Sequence, residues 1–266
     1  MEPDVVRGPP QLSLIVPCYN EEEVIGHTLP RLAEAFADAG IDLEMVAVDN
    51  GSSDRTGAIL QDLARRIPSI HPHRVATNRG YGYGVLQGIP HAHAPWLGII
   101  PCDGQVDPED VVRLFQAVAA TNGKVLGKVR RRFRMDGLSR KVISVAYNLF
   151  VRLLWPRLES IDINGSPKIL PRDVALAMDL QSHDWLLDPE IMIKAHYAGL
   201  RVLELNVFAR MRSGGRSHVT GGTALLFARQ LVRSRLGGHW HGSHARPMPA
   251  GDSAPASGPR SESPAP

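Results

Sequence analysis

A carboxylate and an amide stand two residues apart directly after a short apolar run. The run Leu97-Gly98-Ile99-Ile100 predicts a buried strand, and Asp103 and Gln105 follow it. Residues two apart in an extended chain point to the same side, so both side-chain oxygens would face one open space. Hard oxygen ligands that leave most coordination positions free suit Mg²⁺ or Mn²⁺ carrying a diphosphate. The alternative interpretation is an acidic turn after a strand.

The elements that must position these residues alternate through the first 120 residues. Strands are predicted at 12–17, 43–48, 73–76 and 96–100, and helices at 21–39, 53–67, 83–91 and 108–120. This alternation is typical of an α/β fold, an open parallel sheet with helices on both faces, which binds ligands at the carboxyl ends of its strands. Polar clusters stand at three such ends: Tyr19-Asn20-Glu21, Asp49-Asn50-Gly51 and Asp103-Gly104-Gln105.

The pattern changes after residue 125, and the end of the chain loses periodicity. Helices are predicted over 138–154 and 184–198, and a strand over 201–209. We expect a polar lead-in over 1–10, one domain over 11–242, and a disordered tail rich in Pro, Ser and Ala over 243–266.

Composition narrows the class of protein. A formal net charge of +3 and 43% hydrophobic residues are ordinary for a soluble globular protein and argue against nucleic-acid binding. The two cysteines, Cys18 and Cys102, form no disulfide framework, which indicates a reducing compartment. Neither a signal peptide nor an apolar stretch of about 18 residues is present, so we expect a cytoplasmic protein with at most peripheral contact with the inner face of a membrane.

Four motifs, in this order along the chain, resemble those of family 2 inverting glycosyltransferases with the GT-A fold. They are Pro17 to Glu22, Val48 to Asp54, Asn78 to Gly84 and Asp103 to Gln105. Within the family, residues 11–220 are most similar to the dolichol-phosphate-mannose-synthase-like group. The resemblance implies a GT-A domain with a Rossmann-like, mostly parallel sheet. It also implies metal-assisted transfer of a sugar from a UDP-, GDP- or dTDP-linked donor to a polyprenyl phosphate.

The resemblance implies roles for residues on the donor side. Pro17 and Tyr19 would wall the base pocket, and Glu21 and Asp49 would accept hydrogen bonds from the ribose or base. Asn50 would belong to the same nucleotide-sugar site. Arg212 would contact the diphosphate, and His218 would stand where the family has a lysine, which makes that contact depend on pH. The alternative for Asp49 is that it only caps the following helix. The glycines of residues 80–88 predict close helix–sheet packing or room for the donor rather than a phosphate loop.

The metal motif departs from the family pattern. By resemblance Asp103 and Gln105 bind Mg²⁺ or Mn²⁺, and Asp103 counts among the catalytic residues. The family has Asp-x-Asp here, whereas Pro101 occupies the first position of this chain. The missing acid is expected to weaken metal binding or to change the preferred nucleotide. It also motivates a third hypothesis, a nucleotide-sugar-binding protein without turnover.

The acceptor side carries a block of basic residues. Arg140 and Ser144 lie one helical turn apart and therefore share a helix face. By resemblance they are catalytic and hold the acceptor phosphate, with Arg130 and Arg132 contributing from the preceding loop. The alternative is a basic helix face in water. Asp162 to Lys168 loosely matches another family segment, and we expect a structural or acceptor-side role for it.

The question of a catalytic base separates two acceptor classes. Transfer to a hydroxyl needs a base, whereas a phosphate oxygen is already anionic. The Gln-x-x-Arg-Trp motif of hydroxyl-transferring relatives is absent, which favours a phosphate acceptor. The second hypothesis is transfer to a soluble hydroxyl acceptor, in cell-envelope or secondary-metabolite biosynthesis, with Asp188 or Glu190 as base. Residues 224–233 are amphipathic and basic, and they either lie on an anionic membrane or pack as a closing helix.

Overall fold

The structure, a computed structural model, describes residues 8–133, 138–160, 162–208, 221–238 and 240, with no side chain described at 131–144 or 221–225. The strands are β1 Leu12–Cys18, β2 Leu43–Asn50, β3 Ile70–Val75, β4 Trp96–Ile99, β5 Val125–Phe133, β6 Lys168–Pro171 and β7 Arg201–Phe208. The α-helices are α1 Ile25–Asp38, α2 Thr56–Arg66, α3 Tyr81–Gly88, α4 Pro108–Ala119, α5 Leu138–Leu154, α6 Arg172–Ala177, α7 Leu187–Tyr197 and α8 Gly221–Gly237. A short 3₁₀ helix, Ile89–His91, follows α3.

All seven strands form one sheet in the order β3-β2-β1-β4-β6-β5-β7. β1 pairs in parallel with β2 and β4, β2 with β3, and β5 with β7. Only β6 runs against its neighbours, β4 and β5. The prediction of an α/β fold with a mostly parallel sheet is confirmed.

Helices cover both faces of the sheet, as predicted. One apolar core lies between the sheet and helices α1, α2 and α4, and the other lies between the sheet and α3 and α5 to α8. β1 is buried along its whole length, which its apolar run predicts for a strand covered on both sides. α1 buries Ile25, Leu29, Leu32 and Phe36, the spacing of an amphipathic helix.

Two predicted positions differ from the structure. Arg130 and Arg132 were expected in a loop, and this expectation is wrong, because both lie on β5, where Arg130 pairs with Asn206 of β7. The basic run of β5 does not have the apolar pattern of a strand, so the sequence did not predict it. The segment is extended because it pairs with β6 and β7 in the sheet. β6 and α6 were not predicted at all.

A buried carboxylate ties the strands together at the edge opposite the predicted site. Glu44 of β2 accepts hydrogen bonds from the Ser13 hydroxyl of β1 and from the His93 backbone N–H (2.8 Å) and ring Nδ1 (2.7 Å). Burial raises the pKa of Glu44, but the hydrogen bonds from Ser13 and His93 outweigh it, so the pKa lies below its ordinary value. The network supports the fold away from the site.

Candidate active site

The three predicted polar clusters stand at the carboxyl ends of β1, β2 and β4, which are neighbouring strands. Hydrogen bonds fasten the loop after β1 to the loop after β2. The Asn20 N–H donates to the Ser52 hydroxyl (3.1 Å), and the Ser53 N–H donates to the Asn20 side-chain oxygen (2.9 Å). Asn20 adopts a φ of 54°, a conformation that Asn tolerates better than most residues. The strand ends therefore form a braced rim.

The residues predicted to wall the base pocket lie at this rim. Pro17 is buried in β1, and Tyr19, just past the strand, leaves 41% of its surface exposed. The Glu21 N–H donates to the Thr56 hydroxyl at 2.8 Å, which fixes the backbone at that residue. An exposed aromatic ring on a fixed loop offers a flat surface on which a base can stack.

Asp49 hydrogen-bonds within the turn that follows β2 rather than to the first turn of α2, the contact that the capping alternative requires. Its Oδ1 accepts the Ser52 N–H at 2.9 Å, which stabilises the turn after β2. Its Oδ2 lies 3.7 Å from Nε of Arg74. Asp54, one residue before the N-cap Arg55, accepts the N–H of Thr56, the first residue of α2, at 2.9 Å. Asp49 is therefore placed at the predicted donor site with one oxygen committed to its own turn.

Asn50 is buried with an unfilled acceptor. Its Nδ2 donates to the Gly80 carbonyl at 2.9 Å and lies 3.4 Å from Oδ1 of Asn78. Its Oδ1 has no hydrogen-bond partner among the described residues, although the side chain is only 2% exposed. A buried amide oxygen without a donor is costly, so a hydroxyl or N–H of a bound ligand would improve the site.

The glycine-rich helix α3 packs closely, as predicted. A Cβ on Gly82 would lie 2.2 Å from the Ser182 carbonyl oxygen, and one on Gly84 would lie 2.9 Å from Asn50 Nδ2. A Cβ on Gly88 would lie 2.6 Å from an Ile15 methyl group. The absence of side chains brings the helix against β1 and the loop before α7.

Asp103 and Gln105 form a turn after β4. The Asp103 Oδ1 accepts the Gln105 N–H at 3.2 Å, and Gly104 between them has a φ of 65°. Among the described residues, no group of three His, Cys, Asp or Glu side chains could hold a metal alone. A buried carboxylate and an amide oxygen nevertheless fit a hard divalent cation whose remaining ligands come from a diphosphate.

The two cysteines are free and buried beside this turn. Cys102 Sγ contacts the Pro17 carbonyl at 3.6 Å. A hydrogen bond with Cys18 and burial raise the pKa of the Cys102 thiol well above its ordinary value. A thiol of this kind is inert as a nucleophile, so the cysteines serve packing.

Two partly buried tyrosines, Tyr81 and Tyr147, pack against the core on the side of the sheet that α3 and α5 cover. Burial raises the pKa of Tyr81, and the negative charges of Asp188 and Asp103 raise it further. Burial, then Asp188 and Asp184, raise the pKa of Tyr147 on α5. Both phenols thus stay protonated, and the charge of Asp188 contributes to the raised pKa of each.

Sequence reasoning missed two buried lysines, Lys168 and Lys128, each of which pairs with a carboxylate. Lys168 of β6 forms an ion pair with Asp188, and both side chains are buried. Lys128 of β5 lies directly opposite Lys168 in the sheet and donates to Ser160 (3.2 Å) and Glu204 (3.2 Å). Burial lowers the pKa of Lys128, and the charge of Lys168 contributes to the lowering. The available signal in the sequence was a lysine next to apolar residues in each strand, Lys128 before Val129 and Lys168 before Ile169.

The second acidic candidate of α7 is committed to structure. Glu190 is fully buried and accepts the backbone N–H groups of Gln181 (3.0 Å) and Ser182 (2.8 Å). Its Oε1 also lies 2.7 Å from Nζ of Lys194. The carboxylate therefore clamps the loop that packs on α3.

The remaining predicted residues are described only in part. Arg130 lies two residues beyond Lys128 on β5 and so shares its sheet face. The helix predicted for Arg140 and Ser144 is α5, but their side chains, and that of Arg132, lie outside the described part. Arg212 and His218 fall outside the described residues, as do the tail and most of the lead-in.

Solved structures share this architecture. Glucosyl-3-phosphoglycerate synthase from Mycobacterium tuberculosis in complex with UDP superimposes with a TM-score of 0.68 at 18% identity, covering 86% of this chain and 80% of that chain. Its complex with Mn²⁺, UDP and glucosyl-3-phosphoglycerate gives a TM-score of 0.67. The fold is therefore that of the GT-A glycosyltransferases, as expected.

The family follows from the sequence comparison. The profile of glycosyl transferase family 2 matches residues 13–176, and the chain belongs to this family. The undecaprenyl-phosphate 4-deoxy-4-formamido-L-arabinose transferase of Pectobacterium carotovorum is 34% identical over 143 residues, 53% of this chain and 43% of that protein. The chain thus spans less than half the length of this relative.

Two further relatives match over more of the chain. The dolichol-phosphate mannosyltransferase of Pyrococcus furiosus is 26% identical over 84% of this chain and 63% of its own length. The undecaprenyl-phosphate mannosyltransferase of Micrococcus luteus is 28% identical over 87% of this chain and 97% of its own length.

Proposed function

We propose that this protein transfers a sugar, with inversion, from a nucleoside-diphosphate sugar to a polyprenyl phosphate, assisted by Mg²⁺ or Mn²⁺. The observation that carries the proposal is the placement of Tyr19, Asn50 and Asp103 at three neighbouring strand ends, where sheets of this type bind ligands. The relatives that match most of the chain are named as polyprenyl-phosphate sugar transferases, which supports the acceptor class.

The donor would lie across the braced rim. Tyr19 would stack on the base beside Pro17, and Asp49 would accept a hydrogen bond from the base or ribose. The unfilled Oδ1 of Asn50 would accept a second one. With Glu21 on the fixed loop, these contacts orient the donor without contributing charge to the reacting carbon.

Asp103 and Gln105 would hold the metal ion against the diphosphate. When bound, the ion supplies positive charge that stabilises the leaving nucleoside diphosphate. Proline at position 101 leaves two protein ligands in the motif, so metal and donor should bind together rather than separately. Arg212 and His218 would add cationic contacts to the same phosphates.

The acceptor would approach from the α5 and α7 side. Asp188 is paired with Lys168, and Glu190 is held by two backbone N–H groups and Lys194, so neither is suited to remove a proton from an alcohol. A phosphate needs no such base. Arg140 and Ser144 on α5 would hold it, assisted by Arg130 and Arg132 from β5.

The test is release of nucleoside diphosphate from UDP-, GDP- and dTDP-sugars with Mn²⁺ or Mg²⁺, with and without a short polyprenyl phosphate. We expect release only with both the metal ion and the lipid phosphate. Asp103→Asn should reduce the rate by about 10²-fold or more, whereas the exposed control Asp38→Asn on α1 should leave it unchanged. Donor binding without release under every condition would overturn the proposal and support a binding protein.

A second candidate is transfer to a soluble hydroxyl acceptor. A polar cavity of about 350 Å³ favours it; its lining includes Gln181, Asp184, Gln230 and Ser234. Asp184, whose Oδ1 accepts the Leu186 N–H at 2.8 Å but which is not in a buried ion pair among the described residues, would then be the base rather than Asp188 or Glu190. Release with water-soluble acceptors that disappears in Asp184→Asn would establish this reading in place of the first.

A polyprenyl phosphate resides in a membrane, so the proposed function requires peripheral contact with its cytoplasmic face. Among the helices that the structure describes, none is long and apolar enough to cross a bilayer. The amphipathic segment 224–233 lies within α8. Its two proposed roles were to lie on an anionic membrane or to pack as a closing helix, and the first would supply this membrane contact.

A further inference from the structure

Two neighbouring helices of this chain contain basic residues and no acidic ones. α5 and α8 each have 17 residues and three cations. The cations are Arg140, Lys141 and Arg152 on α5, and Arg229, Arg233 and Arg235 on α8. In a chain with 27 acidic and 30 basic residues, 34 helical positions without one carboxylate concentrate positive charge at one place.

α5 presents an apolar stripe to solvent among the side chains that are described. Val145, Leu149 and Leu153 are spaced four residues apart, so they lie on one face of the helix. Their exposed fractions are 66%, 57% and 70%. Arg152 is exposed on the same side. The opposite face of α5 lies against the core, because Val151 is buried there and Tyr147 and Phe150 pack beside it.

α8 is a closing helix with a second, outward face. Leu231 and Ser234 are buried, and Phe227 packs against the core. This inward face confirms one of the two roles expected for the segment. The outward residues are Leu226, Arg229, Arg233 and Leu236, spaced as one helical face.

Contacts at their carboxyl-terminal ends hold the two helices side by side. The Arg235 Nε donates to the Leu154 carbonyl at 2.9 Å. Just beyond the helices, Trp155 and Trp240 stack with ring centroids 6.2 Å apart. The two helices are therefore neighbours, and we call their exposed residues together the α5–α8 face: Val145, Leu149, Arg152, Leu153, Leu226, Arg229, Arg233 and Leu236.

We propose that the α5–α8 face docks on an anionic lipid bilayer. Exposed leucines between arginines, with no carboxylate on either helix, match the apolar boundary and negative headgroups of such a surface. A protein partner would need an acidic and apolar surface of its own, and nothing among the described residues indicates such a partner. The inference rests on the proposed function only in its purpose: α5 borders the acceptor side of the site, so docking would bring a lipid-borne acceptor to it.

The experiment is flotation of the full chain with vesicles of phosphatidylcholine alone or with 30 mol% phosphatidylglycerol, a composition of about physiological charge. We expect flotation with anionic vesicles and little with neutral ones. Arg229→Gln/Arg233→Gln should weaken partitioning about 30-fold, since each arginine near such a surface contributes about fivefold. Leu149→Ser/Leu153→Ser should weaken it roughly tenfold or more.

Matched controls lie on other helices. Arg65→Gln/Arg66→Gln removes two exposed arginines from α2, and Leu176→Ser removes a leucine of α6 that is 45% exposed. Both controls should float like the unaltered chain. Equal flotation with neutral and anionic vesicles, or equal loss in the controls, would overturn the proposal.

Failure of docking is distinguishable from failure of the proposed function. With a short polyprenyl phosphate in detergent, the surface variants should release nucleoside diphosphate at the unaltered rate. If the unaltered chain and its variants all release no nucleoside diphosphate, the proposed function is wrong. The flotation experiment still tests membrane docking in that case. Dimers in light scattering that dissociate in Leu149→Ser/Leu153→Ser, without flotation, would show that the face pairs two copies and overturn the inference.

Discussion

Replacing Lys168 with methionine removes the cation that neutralises Asp188 beneath the acceptor side of the site. The lysine is 1% exposed and the aspartate 6%, so water reaches neither group readily. The change leaves a buried carboxylate close to the phenols of Tyr81 and Tyr147, whose pKa values it already raises, after burial. The variant therefore isolates the contribution of one charge to the fold around the site.

Breaking a buried ion pair by removing one partner typically costs about 3–5 kcal/mol. The lower end applies here, because Lys168 also repels Lys128, which lies opposite it on β5, and that repulsion is relieved. A loss of about 3 kcal/mol corresponds to a fall in Tm of about 6–12 °C for a domain of this size. Replacing both partners with apolar residues, Lys168→Met with Asp188→Leu, should recover most of the loss.

Urea or guanidinium unfolding of both single variants and the double variant measures this coupling. Arg66→Met is the control, because its pair with Asp62 is exposed and should contribute less than about 1 kcal/mol. Lys168 and Asp188 are not a coupled buried pair if Lys168→Met costs less than about 1 kcal/mol of unfolding free energy, or if the two single losses simply add in the double variant.

Three further changes test other parts of the structure. Glu44→Gln should cost about 1–2 kcal/mol at pH 7. Because the folded pKa is lowered, that difference should shrink as pH falls below the ordinary value of 4.5 and vanish below the folded pKa, as urea midpoints across pH would show. Gly165→Ala should lower Tm by several degrees, since its Cβ would lie 2.1 Å from the Val129 carbonyl oxygen. Asn50→Asp should weaken donor binding in calorimetry, because a carboxylate cannot donate to the Gly80 carbonyl; unchanged affinity would exclude Asn50 from the site.

The amino-terminal half of the fold was predictable because each strand there is a short apolar run with a helix after it. β1 and β2 came within two residues of their predicted ends, and the polar clusters followed from where those runs stop. In a parallel sheet, strand order and direction place carboxyl ends together, so local patterns suffice to locate the rim. The glycines of α3 were expected to allow either close packing or room for the donor, and the structure shows the close packing.

The acceptor half was not predictable in the same way, because its strands depend on distant partners. β5 contains Lys128 and a basic run, and β6 has four residues beginning with Lys168. Each lysine is acceptable in the interior only because a carboxylate far along the chain meets it: Glu204 for the first and Asp188 for the second. Such pairs form only in the tertiary structure. Hydropathy along a single segment would place each lysine at the surface instead.

These buried pairs bear on the choice of nucleophile. An alcohol needs a carboxylate able to take its proton, yet Asp188 already accepts from Lys168, and Glu190 accepts from Lys194 and two backbone N–H groups. Transferring a proton to either carboxylate would break contacts that hold α7 in place. A phosphate arrives ionised and requires cations instead, which the basic end of β5 and the start of α5 provide in sequence. The charge arrangement on this side of the sheet therefore favours a phosphate acceptor over a hydroxyl.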